Sequence, residues 1–361
     1  MFRRARILVA PLHWGLGHAT RCIPIIRSLI EHDAVPIIGA DGAPLELLLK
    51  EFTQLEHVRI PGTPISYSSG NDQTKALMRQ FPRMLIGLRK ESRIAQVLVK
   101  QLALDAIISD QRFGVRSAAV PSVLITHQIF PRTPIMQRTL QQINSGMIGK
   151  FDRCWIMDEA EAPGLAGDLS HGKMLPMNTR YIGVHSRFAT EGTSIGKKHR
   201  IVALLSGPEP QRSKLERILL EQLQHIEGSH VLVQGTINAK PIEIRGNISI
   251  IPFTTADRTS ELVRSAELVV ARSGYTTIMD LSRIGAKALL IPTPGQPEQE
   301  YLAELHGSGS RSLTADQDHI DLKNALERSG ELRPVPIEKD DRKLHSALTE
   351  LAGMIRRPSS A

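Results

Sequence analysis

The stretch Ala271–Tyr301, ARSGYTTIMDLSRIGAKALLIPTPGQPEQEY, constrains the fold of this chain more than any other. It opens at the end of the apolar run Leu268-Val269-Val270-Ala271. Ser273-Gly274 supplies a turn, and Tyr275–Ile284 carries a helical pattern. Gly285 is placed to cap that helix, and Ala288-Leu289-Leu290-Ile291 is a second short apolar run. Strand, helix and strand in that order form the crossover unit of a parallel sheet. The same stretch is chemically loaded. The backbone N–H groups of Ser273, Gly274 and Tyr275 would stand free at a helix N-terminus, which suits an anion. Asp280 lies two turns into the helix, where a carboxylate can accept hydrogen bonds from both hydroxyls of a ribose. Pro292 and Pro294 hold an extended loop after the second strand, and Gln299 and Glu300 begin another helix.

Arg272-Ser273-Gly274, an acidic residue seven positions after the serine (Asp280) and a glutamine beyond the next strand (Gln299) together resemble the donor-binding segment of family 28 glycosyltransferases. That family includes the enzyme that adds N-acetylglucosamine to a lipid-linked muramyl peptide. The family usually has Glu at the position of Asp280, and a second Gln at that of Glu300. The first departure shortens the ribose contact, and the second alters the contact to the donor sugar. The resemblance implies an α/β chain with two Rossmann-like domains facing across a cleft, the GT-B arrangement. It also implies donor-binding roles for Arg272, Ser273, Gly274, Tyr275, Asp280, Gln299 and Glu300. Ser206-Gly207-Pro208-Glu209-Pro210 stands where relatives carry a Gly-rich loop near the donor diphosphate. Phe253-Thr254 stands where relatives hold uracil through main-chain groups.

A length of 361 residues suits two domains, and 41% apolar with 23% charged residues is ordinary for a globular chain. Cys22 falls in an expected helix and Cys154 in an expected strand, so both read as small core residues in a reducing compartment. No apolar run reaches eighteen residues, so no transmembrane helix is expected. The basic start MFRRAR leads into too short an apolar run for a signal sequence. The net charge of +8 is uneven: residues 1–190 hold 23 Lys and Arg against 15 Asp and Glu, whereas residues 191–361 hold 22 of each. A basic N-terminal half fits an anionic partner such as a phosphate-bearing acceptor or a membrane surface. Nucleic acid is disfavoured, because aromatics are only 4% and no nucleic-acid motif occurs.

In the N-terminal half, Ile7–Ala10 is an expected strand, and Pro11–Gly17 an expected loop. His18 then opens a helix to about Glu31, with Pro24 implying a kink or a late start. Gly15 and Gly17 let a ligand approach the helix N-terminus. In the resemblance this Gly-His turn belongs to the acceptor-side loop, which makes His18 a candidate base. Val35–Ala40 is a strand, Pro44–Leu55 a helix and Val58–Ile60 a strand. Pro61–Asn71 reads as a flexible loop. Residues 75–100 carry seven Lys and Arg against one Glu, with Leu77, Phe81, Leu85 and Leu88 at helical spacing and Pro82 expected to break the run. Such a helix either shows its basic face to water or meets anionic lipid as a peripheral contact. The strand Ala106–Ile108 ends in Ser109-Asp110, and Ser122–Ile125 ends in Thr126-His127-Gln128. Ligands gather at strand C-terminal ends in open α/β sheets, so His18, Asp110 and His127 form the candidate catalytic set. Relatives in family 28 have a histidine matching His127.

Cys154–Met157 and Tyr181–Val184 close the first domain, residues 1–185. Residues 186–199 read as a linker, 200–339 as the nucleotide-sugar domain, and 340–361 as a terminal helix that crosses back to the first domain in relatives. The expected activity is metal-independent, inverting transfer from a nucleotide sugar, UDP-linked in the resemblance, with no cofactor and no metal motif. The acceptor would be anionic or lipid-linked, and the location cytoplasmic or peripheral on the inner membrane face. Two other readings stand. Gly15-Leu16-Gly17-His18-Ala19-Thr20-Arg21-Cys22 also resembles the loop of UDP-sugar hydrolases of the nonulosonic acid pathway, where water attacks. A non-catalytic sugar-nucleotide-binding protein would use the same fold.

Overall fold

The computed structural model describes residues 1–63, 73–133, 136–172, 174–188, 196–237, 241–338 and 340–355, without the side chains of 73–79 and 81. Most of the loop expected at Pro61–Asn71 and the middle of the expected linker lie outside these residues, as do the side chains of Leu77 and Phe81. The chain divides into two compact units. One comprises Met1–Ile65, Leu77–His185 and Asp340–Ala361, and the other Ser66–Ala76 and Ser186–Lys339.

In the first unit the elements are β1 (Arg6–Pro11), α1 (Leu16–Glu31), β2 (Val35–Ala40), α2 (Gly42–Glu51), β3 (His57–Arg59) and α3 (Gln73–Gln101). These are followed by β4 (Ala106–Asp110), β5 (Ser122–Thr126), α4 (Gln137–Ile148), β6 (Arg153–Ile156) and β7 (Thr179–Tyr181). The seven strands form one sheet in the order β3-β2-β1-β4-β5-β6-β7, and every pair is parallel. Strands covered on both faces read as continuous apolar runs, and β1 and β4 do: Ile7, Leu8, Val9, Ile107 and Ile108 are fully buried. Each such side chain contributes roughly 1.5–3 kcal/mol by leaving water.

The second unit repeats the plan. Its elements are β8 (His199–Leu204), α5 (Gln211–Leu223), β9 (His230–Val233), β10 (Glu243–Arg245), β11 (Ile248–Ile251) and α6 (Ala256–Ser265). Then come β12 (Ala266–Ala271), α7 (Tyr275–Ile284), β13 (Ala288–Leu290), α8 (Pro297–Gly307), β14 (Ser312–Thr314) and α9 (Leu322–Arg328). The sheet order is β10-β11-β9-β8-β12-β13-β14, with only β10 antiparallel. Gly285 ends α7 in the left-handed region at φ 67°, a conformation that costs a Cβ-bearing residue energy. The final helix, α10 (Arg342–Met354), belongs to the first unit. Its Glu350 pairs with Arg153 and Arg180, and its Lys343 Nζ lies 2.6 Å from Glu159.

Several sequence expectations need correction. Pro82 does not break the basic segment, because α3 runs unbroken through it. The proline sits on the exposed side, where water can satisfy the carbonyl it displaces. Buried Ala95, Leu98 and Val99 anchor the helix beyond it. Likewise α1 runs through Pro24 and starts at Leu16, so Pro24 does not delay it. The expected helix Pro44–Leu55 stops at Glu51, and the expected strand Tyr181–Val184 is placed earlier, at Thr179–Tyr181. Leu85 and Ile86 of α3 are exposed, at 45% and 67%. Among the described residues, no helix is long and apolar enough to cross a membrane.

Candidate functional site

Each sheet changes direction once. In the first unit, chain order runs from β1 outward to β2 and then returns to β4 on the other side of β1. Helices leave such a point on opposite faces and open a crevice at the strand C-terminal ends. Pro11 of β1 and Asp110 of β4 are register partners at that spot. Gly15 then turns the chain into α1 at φ 136° and ψ 169°, backbone open to glycine but not to other residues. His18 and Arg21 follow in the first turns of α1, three residues apart and so on one face.

Four side chains meet there. His18 Nδ1 lies 2.8 Å from Asp110 Oδ2, and Arg21 Nη2 donates to Asp110 Oδ1 at 2.6 Å. Arg21 Nη1 lies 2.6 Å from His127 Nδ1. Asp110 is fully buried, and Arg21 and His127 nearly so, whereas the His18 side chain is 20% exposed. Burial opposes a charge on Asp110. The Arg21 guanidinium and the bonds from His18 and Arg21 outweigh it and hold the carboxyl below its usual range. The three residues proposed from sequence thus converge. Arg21 was absent from that set, and its signal was the i, i+3 spacing from His18. Cys22 and Cys154 are buried free thiols, and burial pushes both upward in pKa, as inert core residues require.

The second unit has its own reversal between β8 and β12, where Leu204 and Ala271 are register partners. The Ser206-Gly207 loop and the Arg272-Ser273-Gly274 turn therefore leave the sheet side by side. Ser206 and Gly207 are exposed, and Gly207 has φ 98°. A Cβ at Gly207 would lie 3.5 Å from Thr293 Oγ1, so the loop faces the segment after β13. Helix α7 starts at Tyr275 with Gly274 as N-cap and no capping side chain.

The remaining donor-side candidates separate into different roles. Arg272 is 1% exposed, and burial lowers its pKa to about 10. Its Nη2 donates to the Gln211 carbonyl at 3.0 Å and to the Gln317 side chain, and its Nη1 to the Pro292 carbonyl at 2.9 Å. Its two terminal nitrogens brace the loops internally. Ser273 Oγ donates to the Gln299 carbonyl at 2.7 Å. Gln299 Oε1 accepts from the Thr293 amide at 2.9 Å and Glu300 Oε1 from the Gly295 amide at 2.8 Å, so both staple the proline loop onto α8. Thr254 Oγ1 bonds Thr259 Oγ1 at 2.6 Å, beside half-buried Phe253. Asp280 is 4% exposed. Its Oδ1 accepts from Ser186 Oγ at 2.6 Å and its Oδ2 from Arg187 Nε at 2.9 Å. The start of the expected linker is therefore tied down, and the carboxylate read as a ribose ligand already has two protein partners. The Arg187 backbone amide also bonds the carboxylate, so one of its four acceptor positions remains. Among the described residues no group of three His, Cys, Asp or Glu could hold a metal ion.

One consequence concerns stability. Burial pushes the Asp280 carboxyl up, and Arg187 and Ser186 pull it down without offsetting burial. A carboxyl raised in the fold favours the protonated form, so ionisation costs stability as pH rises through the folded value. Asp280→Asn is therefore expected to match or exceed the native melting temperature at pH 7, with the difference shrinking toward pH 4. A lower melting temperature for the variant at pH 7 would show that the charged pair is stabilising.

Residues 209–349 match the glycosyltransferase family 28 C-terminal domain. The chain is 22% identical, over 96% of its length and 94% of the relative's, to a Listeria welshimeri enzyme. That enzyme is a UDP-N-acetylglucosamine–N-acetylmuramyl-(pentapeptide) pyrophosphoryl-undecaprenol N-acetylglucosamine transferase. The chain is also 21% identical, over 74% of its length and 80% of the relative's, to an uncharacterized glycosyltransferase of Methanopyrus kandleri. Among solved structures it is similar to the glycosyltransferase of kitacinnamycin, at TM-score 0.61 and 12% identity over 98% of this chain and 95% of that one. It is also similar to the glycosyltransferase SnogD from Streptomyces nogalater, at TM-score 0.58 and 13% identity over 98% and 100%. The shared fold spans both units. The chain is thus a glycosyltransferase of the GT-B fold, whose residues 209–349 match the family 28 C-terminal domain.

Proposed function

We propose that the chain transfers a sugar from UDP to an acceptor hydroxyl, with inversion and without a metal. The observation that carries this reading is the His18–Asp110 contact of 2.8 Å at the reversal point of the first sheet. A hydroxyl is a poor nucleophile at neutral pH and needs a base within hydrogen-bond reach. With Asp110 holding the Nδ1 proton, His18 Nε2 accepts the acceptor proton as the oxygen attacks the anomeric carbon. The bond to the diphosphate breaks in the same displacement, which inverts the centre. The first amides of α7 and the Ser206-Gly207 loop meet the charge left on the diphosphate. Asp280 receives the ribose through its remaining acceptor position. The family 28 domain match supports a nucleotide-sugar donor, and the Listeria relative uses a UDP sugar. Leu85 and Ile86, exposed on α3 with Arg83, Arg89 and Lys90, support an anionic or lipid-linked acceptor and a peripheral place on the inner membrane face.

A second reading, hydrolysis, is favoured by Arg21, which completes the Gly-x-Gly-His-x-x-Arg-Cys pattern and bonds Asp110. One experiment separates them. Purified protein is incubated with a panel of UDP sugars, with and without soluble and lipid-diphosphate acceptors. UDP release that requires an acceptor supports transfer, and release without one supports hydrolysis. Binding without release in every mixture defeats both. In the same assay Asp280→Ala is expected to weaken UDP binding by roughly 1.5–3 kcal/mol, the range for hydrogen bonds to a charged group. An unchanged dissociation constant removes Asp280 from the ribose site.

A further inference from the structure

Arg21 contacts His127 directly and shares Asp110 with His18, and that arrangement assigns these two histidines opposite roles. Arg21 is 2% exposed, and an arginine has donors only. Its Nη1 lies 2.6 Å from His127 Nδ1, so that nitrogen must accept. An imidazole that accepts at Nδ1 carries its proton on Nε2. His127 therefore presents a donor at Nε2. His18 is the reverse case. Its Nδ1 lies 2.8 Å from the Asp110 carboxylate, an acceptor, so Nδ1 carries the proton and Nε2 the lone pair.

Arg21 Nη2 also lies 2.8 Å from His18 Nδ1. One nitrogen cannot donate to Asp110 and accept from Arg21 at once. A lone pair set against a buried anionic carboxylate is the costlier arrangement, and Arg21 Nη2 already has Asp110 Oδ1 at 2.6 Å. The proton therefore stays on His18 Nδ1. The four groups come from three places along the chain: α1, the end of β4 and the residue after β5. Only a rigid planar fork reaches Asp110 and His127 together, and a lysine ammonium is a single point charge.

We infer that Arg21 is the positioning residue of this site: it makes His127 a hydrogen-bond donor through Nε2 and leaves His18 as the proton acceptor. This rests on the transferase reading only for what the two histidines then do. His127 holds an oxygen of a substrate or of a neighbouring group, and His18 takes the acceptor proton. His18 is also the more exposed of the two rings.

The test reads tautomers before it reads turnover. Long-range proton–nitrogen correlation spectra of the full, histidine-labelled chain at pH 7 are assigned with His18→Ala and His127→Ala. Native protein is expected to carry the proton on Nδ1 of His18 and on Nε2 of His127. In Arg21→Lys, the His127 signals are expected to move toward a tautomer mixture, while kcat falls roughly 10–100-fold and the donor KM holds. A purely packing role would leave the His127 tautomer fixed. His127 protonated on Nδ1, His18 protonated on Nε2, or full turnover in Arg21→Lys would overturn the assignment. If Arg21→Lys fails to fold, the native spectra still decide. The expected tautomers in a protein that transfers no sugar would uphold this assignment and overturn the function.

Discussion

His18→Ala is expected to lower turnover by roughly 10²–10⁴-fold, the usual loss for a general base, while UDP affinity barely changes. The size follows from what the site would lose. Without an imidazole the acceptor hydroxyl must shed its proton to water. Asp110 cannot replace it, because it is fully buried and the Arg21 guanidinium, against that burial, holds its pKa low, which makes it a poor proton acceptor. His127 cannot replace it while Arg21 occupies its Nδ1. Donor binding is expected to stay because the residues proposed for it belong to the second unit. Saturating donor and steady-state kinetics, with calorimetry for UDP, make the measurement. Weaker UDP binding with normal turnover would recast His18 as a donor ligand. Turnover that survives in His18→Ala but collapses in His127→Ala or Asp110→Asn would move the base elsewhere in the same cluster.

Arg112→Met is expected to destabilise the first unit by roughly 3–5 kcal/mol, the cost of stranding a buried charge. Arg112 is 1% exposed and Glu91 7%. The Arg112 Nε donates to Glu91 Oε1 at 2.8 Å, and its Nη2 to the carbonyls of Ile60 and Pro61 at 2.8 and 2.7 Å. Methionine fills the space but leaves the carboxylate and two carbonyls without their donor. Gly114 packs against the pair: a Cβ there would come within 2.6 Å of Glu91 and of the Leu88 carbonyl, so only glycine fits beside the carboxylate. Since whole domains are stable by about 5–15 kcal/mol, this loss leaves little margin. Denaturant titration of native and variant protein measures it. Removing the stranded charge as well, in Glu91→Gln/Arg112→Met, is expected to recover part of the loss. A cost below about 1 kcal/mol for the single variant would mean that the pair is solvated rather than buried.

The strand–helix–strand run at Ala271–Tyr301 was legible because its signals are local. β-branched strands, a glycine C-cap and helical spacing all act within ten residues. For the same reason β1, β2, β4, β5 and α7 were readable to within a few residues. Pro82 misled because proline chemistry is local but the penalty is not. An exposed proline in a helix anchored elsewhere loses one bond to water, and nothing in the sequence says which side faces out.

Sequence alone determined that this chain is α/β with two sheets, that a helix starts just after Arg272-Ser273-Gly274, and that His18, Asp110 and His127 stand at or just beyond strand C-terminal ends. These follow from periodicity, from glycine placement and from the rule that ligands meet strand C-terminal ends. Only the tertiary structure decided what each side chain spends its hydrogen bonds on. Arg272 and Gln299 became loop braces, and Asp280 became an anchor for Ser186 and Arg187. Arg21 became the link between Asp110 and His127, the latter 106 positions from it in the chain. The physical reason is that a donor or acceptor is satisfied by whatever lies within about 3 Å. Partners that distant in sequence are brought together only by the order of the strands.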